Sequence, residues 1–201
     1  MTNTINDRIT ELRNVMQRVG ISAFIFPSTD PHQGEYIPDH WKGREWISGF
    51  DGSAGTAVVT LKSAALWTDS RYFIAATEQL ADTEFVLMKE RIAGTPSIAE
   101  WLASEFEGCD DVNIGVDGWV CSNAFVTELV GALGELGNFF VQTDFDPLAE
   151  LWTDRPSIPK NKIELQPIAY AGESTTSKLA RIREALAAQY ADGVMVSALD
   201  E

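Results

Sequence analysis

Residues 56–73, TAVVTLKSAALWTDSRYF, decide the fold. Thr56-Ala57-Val58-Val59-Thr60 and Ala64-Ala65-Leu66-Trp67-Thr68 are five-residue runs of small, β-branched and aromatic residues. Only Leu61-Lys62-Ser63 separates them, a connection short enough for a hairpin. The chain then turns polar at Asp69-Ser70-Arg71, and Asp69 or Ser70 is predicted to cap a helix running to Leu80. A strand pair followed directly by a helix places an antiparallel hairpin inside an alternating α/β chain.

The flanks carry the same alternation. Upstream, Ile5, Ile9, Leu12, Val15, Met16 and Val19 recur at helical spacing, and Gly20 stops that helix. Ile21 to Phe26 reads as a buried strand ended by Pro27, followed by a polar loop from Ser28 to about His40. A short helix with Trp41, Trp46 and Ile47 leads to the glycine-rich turn Gly49–Gly55. Downstream, Glu84–Lys89 reads as a strand. Thr95 and Pro96 are predicted to be N-cap and first residue of a helix carrying Ile98, Trp101 and Leu102. Val112–Val116 is a strand, Ser122 caps a helix with Phe125, Leu129, Leu133 and Leu136 on one face, and Phe139-Phe140-Val141 is a final strand. The fold class is α/β, a mixed sheet with helices on both faces.

That unit closes near residue 150, and the Pro-rich Arg155–Lys160 follows it. The pattern then restarts with caps at Ser174–Ser177, a helix face of Leu179, Ile182 and Leu186, and a strand at Gly193–Val196. At an offset of 170, Ile9 matches Leu179, Leu12 matches Ile182, Arg13 matches Arg183, Met16 matches Leu186, Ile25 matches Met195 and Asp30 matches Asp200. Repetition and coincidence both account for this. One helix and one strand cannot close a core, so the chain is expected to be truncated just inside a second domain. The expected boundaries are 1–155 for the first domain and 156–201 for linker and second-domain start.

The chain has 201 residues and a formal net charge of -15, with 45% hydrophobic residues, ten Phe and six Trp. That composition excludes a disordered chain. The acidity argues against nucleic acid or an anionic membrane as partner. Residues 78–154 hold 16 acidic and two basic side chains, whereas 1–77 hold eight and seven. The acidity therefore sits away from the motif-bearing part and serves solubility. No apolar run is long enough to span a membrane and residues 1–6 have no leader character, so a cytoplasmic protein is expected. Cys109 and Cys121 read as two buried thiols in a reducing compartment.

Chemistry is sparse. His32 and His40 form no metal-binding spacing, and no metal site or catalytic residue is expected in this chain. Gly52-Ser53-Ala54-Gly55 lacks a nucleophile elbow, and the Gly49–Thr56 turn lacks the ending of a phosphate loop. Its glycines read instead as a tight turn. In the loop after the first strand, His32 with Glu35 and Tyr36 is either functional or a hydrogen-bonded knot. Arg71 is the local anomaly: a cation in a predicted first helical turn opposes the helix dipole. Either it holds a carboxylate or carbonyl in a groove, or it pairs with Asp69 or another nearby acid.

Four segments occur in order: Asp30-x-His32-Gln33-x-Glu35-Tyr36-Ile37, Ser48-Gly49-Phe50-Asp51-Gly52-Ser53-Ala54-Gly55-Thr56-Ala57, Trp67-Thr68-Asp69-x-Arg71-Tyr72-Phe73 and Leu151-Trp152-Thr153-Asp154-Arg155-Pro156. With them the chain resembles the N-terminal part of cytosolic-type Xaa-Pro aminopeptidases, in the pita-bread metallopeptidase superfamily with prolidase and creatinase. Tyr170-Ala171-Gly172 and Ser197–Glu201 extend the resemblance to the end. It implies two related non-catalytic domains with a ribonuclease H-like motif, ahead of a catalytic domain holding two divalent metal ions such as Mn. It implies hydrolysis of the N-terminal residue before proline, a proline-containing peptide as substrate, and a homodimer. All metal ligands would lie in the absent domain, so this chain alone is expected to be inactive. The resemblance carries substrate contact onto Arg71 and supporting roles onto His32 and Asp69. Gly34 stands where the family usually has Ser, and Ser70 where it commonly has Gly. The alternatives are a stand-alone scaffold domain of the same fold and the N-terminal part of a prolidase-type dipeptidase.

Overall fold

The computed structural model describes residues 4–197. The chain divides into two compact units, Met1–Ser157 and Ile158–Glu201.

In the first unit, helix α1 (Ile5–Val19) starts in a capping box, where Thr4 and Asp7 satisfy each other's backbone N–H groups, and ends on Gly20 at φ 74°. Strand β1 (Ala23–Pro27) follows. A 3-10 turn, Asp39–Trp41, leads into the short helix α2 (Gly43–Ser48). Strands β2 (Thr56–Thr60) and β3 (Ala64–Thr68) form the hairpin, with Thr56 opposite Trp67 and Val59 opposite Ala64. Helix α3 (Phe73–Gln79), β4 (Phe85–Lys89), α4 (Ile98–Glu105), β5 (Val112–Val116), α5 (Asn123–Gly134), β6 (Phe139–Gln142) and α6 (Leu148–Leu151) complete the unit.

The six strands form one mixed sheet in the order β4-β3-β2-β1-β5-β6. The pairs β1–β5, β3–β4 and β5–β6 are parallel, and β2 is antiparallel to both its neighbours. Both faces are covered, and the two-residue strand period divides the core. Phe24, Phe26, Ala57, Val59, Ala64 and Leu66 pack with Ile9, Leu12 and Met16 of α1, Ile47 of α2 and Leu148 of α6. Ala23, Ile25, Val58, Ala65, Trp67 and Ile114 point the other way, onto Leu102 of α4 and Leu129 and Leu133 of α5. Consecutive apolar residues in one strand thus serve two different cores.

Three local expectations are corrected. The helix after β3 begins at Phe73, not Ser70. The Asp69 carboxylate accepts the Arg71 N–H at 3.0 Å and closes a turn that delays helix entry. The cap of α4 is Ser97, not Thr95, because Ser97 and Glu100 form a capping box. Cys109 is exposed, not buried.

In the second unit, α7 (Ile168–Ala171) is followed by α8 (Thr175–Ala188), whose N-cap is Ser174 as expected. The strand expected at Gly193–Val196 is not formed; Val194, Met195 and Val196 are exposed. A strand needs a neighbour to accept its backbone hydrogen bonds, and no described residue of this unit supplies one. Ala198 to Glu201, including Asp200 of the offset pattern, lie outside the described residues, as do Met1–Asn3.

Candidate functional site

Every strand except β2 points the same way, so β1, β3, β4, β5 and β6 end on one edge of the sheet, where β2 begins. Three of the four sequence segments sit there: the loop after β1, the loop entering β2, and the turn after β3. The carboxyl edge of an α/β sheet is the usual place for a ligand. The fourth segment ties down the end of the first unit. Trp152 stacks on Trp46 at 5.6 Å, and Arg155 pairs with Asp146 at 2.6 Å while donating to the His40 carbonyl at 2.8 Å.

At the end of β3, Arg71 is held by Asp69. Its Nε–H donates to Asp69 Oδ1 at 2.9 Å and an Nη2–H to Oδ2 at 2.7 Å, a bidentate pair. The guanidinium holds the Asp69 carboxyl down at about 2. The Arg71 side chain keeps 65% of its surface exposed, so the pair presents a fixed cation to solvent. Arg71 therefore pairs with Asp69, the plain alternative, and lies ahead of the helix rather than in its first turn. The dipole argument does not apply to it.

The glycine-rich loop backs this turn at two points. Thr68 donates its hydroxyl to the Ala54 carbonyl at 2.6 Å, and the Tyr72 and Ser53 hydroxyls share a 2.7 Å hydrogen bond. The bond to Ser53 lowers the Tyr72 phenol pKa. Two glycines are required by close approach. A Cβ at Gly52 would lie 2.3 Å from Phe50 Cζ and 2.8 Å from Tyr72 Cδ1, and one at Gly55 would lie 2.8 Å from the Trp67 carbonyl oxygen. The tight-turn reading of these glycines is thus the structural one.

Beneath the loop lies Arg44, which sequence reasoning missed. It is 5% exposed and donates to the carbonyls of Phe50 and Gly52 and, at 2.9 Å, to the Ser28 hydroxyl. Ser28 in turn donates to the Gly55 carbonyl at 2.7 Å. Burial lowers the Arg44 pKa to about 10. The available signal was a cation in the first turn of a helix just before a glycine-rich loop, the same signal that drew attention to Arg71.

His32 lies on the loop after β1 and is exposed. The knot of that loop is Asp30, 2% exposed, whose Oδ1 accepts the N–H groups of His32 at 2.9 Å and Gly34 at 3.1 Å. Thr29 and Gln33 tie the loop to the Val120 carbonyl after β5. Asp69 and Arg71 are brought together; His32 shares their edge of the sheet. Among the described residues, no group of three or more His, Cys, Asp or Glu side chains is placed to hold a metal ion. No described helix is long and apolar enough to cross a membrane.

Residues 8–150 match a family described as the creatinase/prolidase N-terminal domain, and residues 154–201 match a second one with the same description. A probable Xaa-Pro aminopeptidase P of Fusarium vanettenii is 41% identical over 96% of this chain and 31% of its own length. An aminopeptidase P1 of Lotus japonicus is 37% identical over 98% of this chain and 30% of its own length. Among solved structures, an X-prolyl aminopeptidase of Caenorhabditis elegans, described as a cytosolic enzyme with a di-nuclear active site, superposes with a TM-score of 0.82. It is 29% identical, over 94% of this chain and 32% of that one. The chain therefore spans about a third of the length of these relatives.

Proposed function

The chain belongs to the creatinase/prolidase N-terminal family, and from that premise we propose that it is the non-catalytic N-terminal portion of a cytosolic Xaa-Pro aminopeptidase. Its task is to position a proline-containing peptide for a catalytic domain that lies outside this sequence. Residues 1–155 are the positioning domain, and 156–201 are the linker and start of a second, related domain, a division supported by the separate family matches. The whole enzyme acts as a homodimer to which this region contributes contacts.

The observation that carries the reading is the Arg71–Asp69 pair. A cation fixed by two hydrogen bonds and still largely exposed at the carboxyl edge is prepared to bind a peptide carbonyl or carboxylate. Asp69 orients it, and His32 supports the same edge from the loop after β1. The two metal ions are assigned in this reading to the catalytic domain; the described donors of this chain form no group of three or more that would fit such a centre.

The test is Arg71→Ala in the full-length enzyme. A charge-assisted hydrogen bond is worth about 1.5–3 kcal/mol, so kcat/KM on Xaa-Pro peptides falls about 10- to 100-fold, with folding intact. Unaltered kinetics across several peptides would remove Arg71 from the substrate site.

A further inference from the structure

Arg44 lies under the site rather than in it, and what it holds is specific. We propose that Arg44 is a positioning residue for Arg71, acting through the glycine-rich loop and the Thr68 and Tyr72 contacts that bracket the Asp69–Arg71 turn. The proposal rests on the reading of Arg71 as the substrate-binding cation.

The chain of contacts is continuous. Arg44 fixes the carbonyls of Phe50 and Gly52 directly and that of Gly55 through Ser28. Between those points, Ala54 receives the Thr68 hydroxyl and Ser53 meets the Tyr72 hydroxyl. Thr68 immediately precedes Asp69, and Tyr72 immediately follows Arg71. Tyr72 is also in contact with Arg71, whose guanidinium carbon lies 5.2 Å from the ring centre. The Tyr72 ring leans on Phe50 edge-to-face at 5.9 Å, and the Arg44 guanidinium carbon lies 4.9 Å from the Phe50 ring centre.

The geometry of Arg44 demands a planar fork. Its two Nη groups and its Nε serve three different acceptors at once, a task an ammonium on a flexible stem cannot perform. A buried cation whose hydrogen bonds go to neutral carbonyls and a hydroxyl is a costly way to close a turn. Nothing in the turn itself requires it, because glycines and the Ser48 hydroxyl, which accepts the Phe50 N–H at 3.2 Å, already shape it. What the cation adds is a fixed height of the loop relative to the end of β3, and therefore a fixed direction for Arg71.

The experiment has two arms. In this chain, the Arg71 Nε–H resonance is followed by NMR in the wild type, Arg44→Lys and Ser53→Ala. Ser53 is exposed, so the second variant folds whatever becomes of the first. Both variants are expected to raise the exchange rate of that proton about fivefold or more, as the Asp69 pair loosens. An unchanged rate in Arg44→Lys overturns the proposal, and where Arg44→Lys fails to fold, an unchanged rate in Ser53→Ala does so. In the full-length enzyme, Arg44→Lys is expected to raise KM about tenfold with kcat little altered, and to cause no further loss in an Arg71→Ala background. Additive losses overturn the proposal. If Arg71→Ala itself leaves kinetics unchanged, the substrate role fails, and the NMR arm alone decides whether Arg44 orients Arg71.

Discussion

Asp69 holds Arg71 three times over: it accepts the backbone N–H at 3.0 Å, the Nε–H at 2.9 Å and an Nη2–H at 2.7 Å. One carboxylate thus sets both the backbone turn and the direction of the side chain. The pairing has a defined pH range. The Asp69 carboxyl is lowered from 3.8 to about 2, first by the Arg71 side-chain hydrogen bonds. A group with a depressed folded pKa contributes stability above its unfolded value and loses it as pH falls through the folded one. The pair is therefore expected to stay intact from neutral pH down to about 4 and to loosen between about 4 and 2. A carbon-13 titration of the Asp69 carboxyl measures this directly; a midpoint near 3.8 would mean that Arg71 does not hold it.

Gly52→Ala tests the closeness of the loop to Tyr72. The new methyl would lie 2.3 Å from the Phe50 ring, and that ring is fully buried, so it cannot swing into solvent. Overpacking of this kind costs about 1–3 kcal/mol. Urea unfolding of the variant is expected to show a loss in that range, and the Ser53–Tyr72 bond to lengthen as the loop lifts.

Ser97→Ala and Thr95→Ala separate the two candidate caps of α4. Ser97 accepts the Glu100 N–H at 3.2 Å, and Glu100 accepts the Ser97 N–H at 2.8 Å. Loss of such a cap costs about 1 kcal/mol. Ser97→Ala is expected to lower stability by about that amount and Thr95→Ala by a few tenths at most, read from paired denaturant midpoints.

Features set by neighbours in the chain were legible: the period of α1, its stop at Gly20, the hairpin from Thr56 to Thr68, and the Ser122 and Ser174 caps. The Thr95-Pro96 pair misled because Ser97 two positions later offers a better reciprocal partner in Glu100. The helix start at Ser70 misled because the Asp69 side chain captures the Arg71 backbone first. Arg71, Asp69 and the glycine-rich loop could be named from motifs, but not the Thr68–Ala54 and Tyr72–Ser53 bonds that join them. Arg44 lies six and eight residues from the carbonyls it holds, and its burial depends on a sheet assembled from residues far along the chain. Likewise Asp30 stood in a motif, but its burial and its hold on the His32 and Gly34 N–H groups could not be read from the segment.

The two cysteines are expected to differ in reactivity by environment alone. Burial pushes the Cys121 thiol up to about 12, with the nearby Asp117 carboxylate adding to the shift. Only the thiolate attacks an alkylating agent, so at pH 8 a thiol of that pKa presents about one reactive molecule in ten thousand. Cys109 lies exposed in the turn between α4 and β5. Iodoacetamide at pH 8 is expected to label Cys109 in the folded protein and to spare Cys121 until denaturant is added. Peptide mass spectrometry before and after unfolding reads the result. Equal labelling of both in the native state would mean that the loop carrying Cys121 opens freely, and with it the Val120 carbonyl that anchors Thr29 and Gln33.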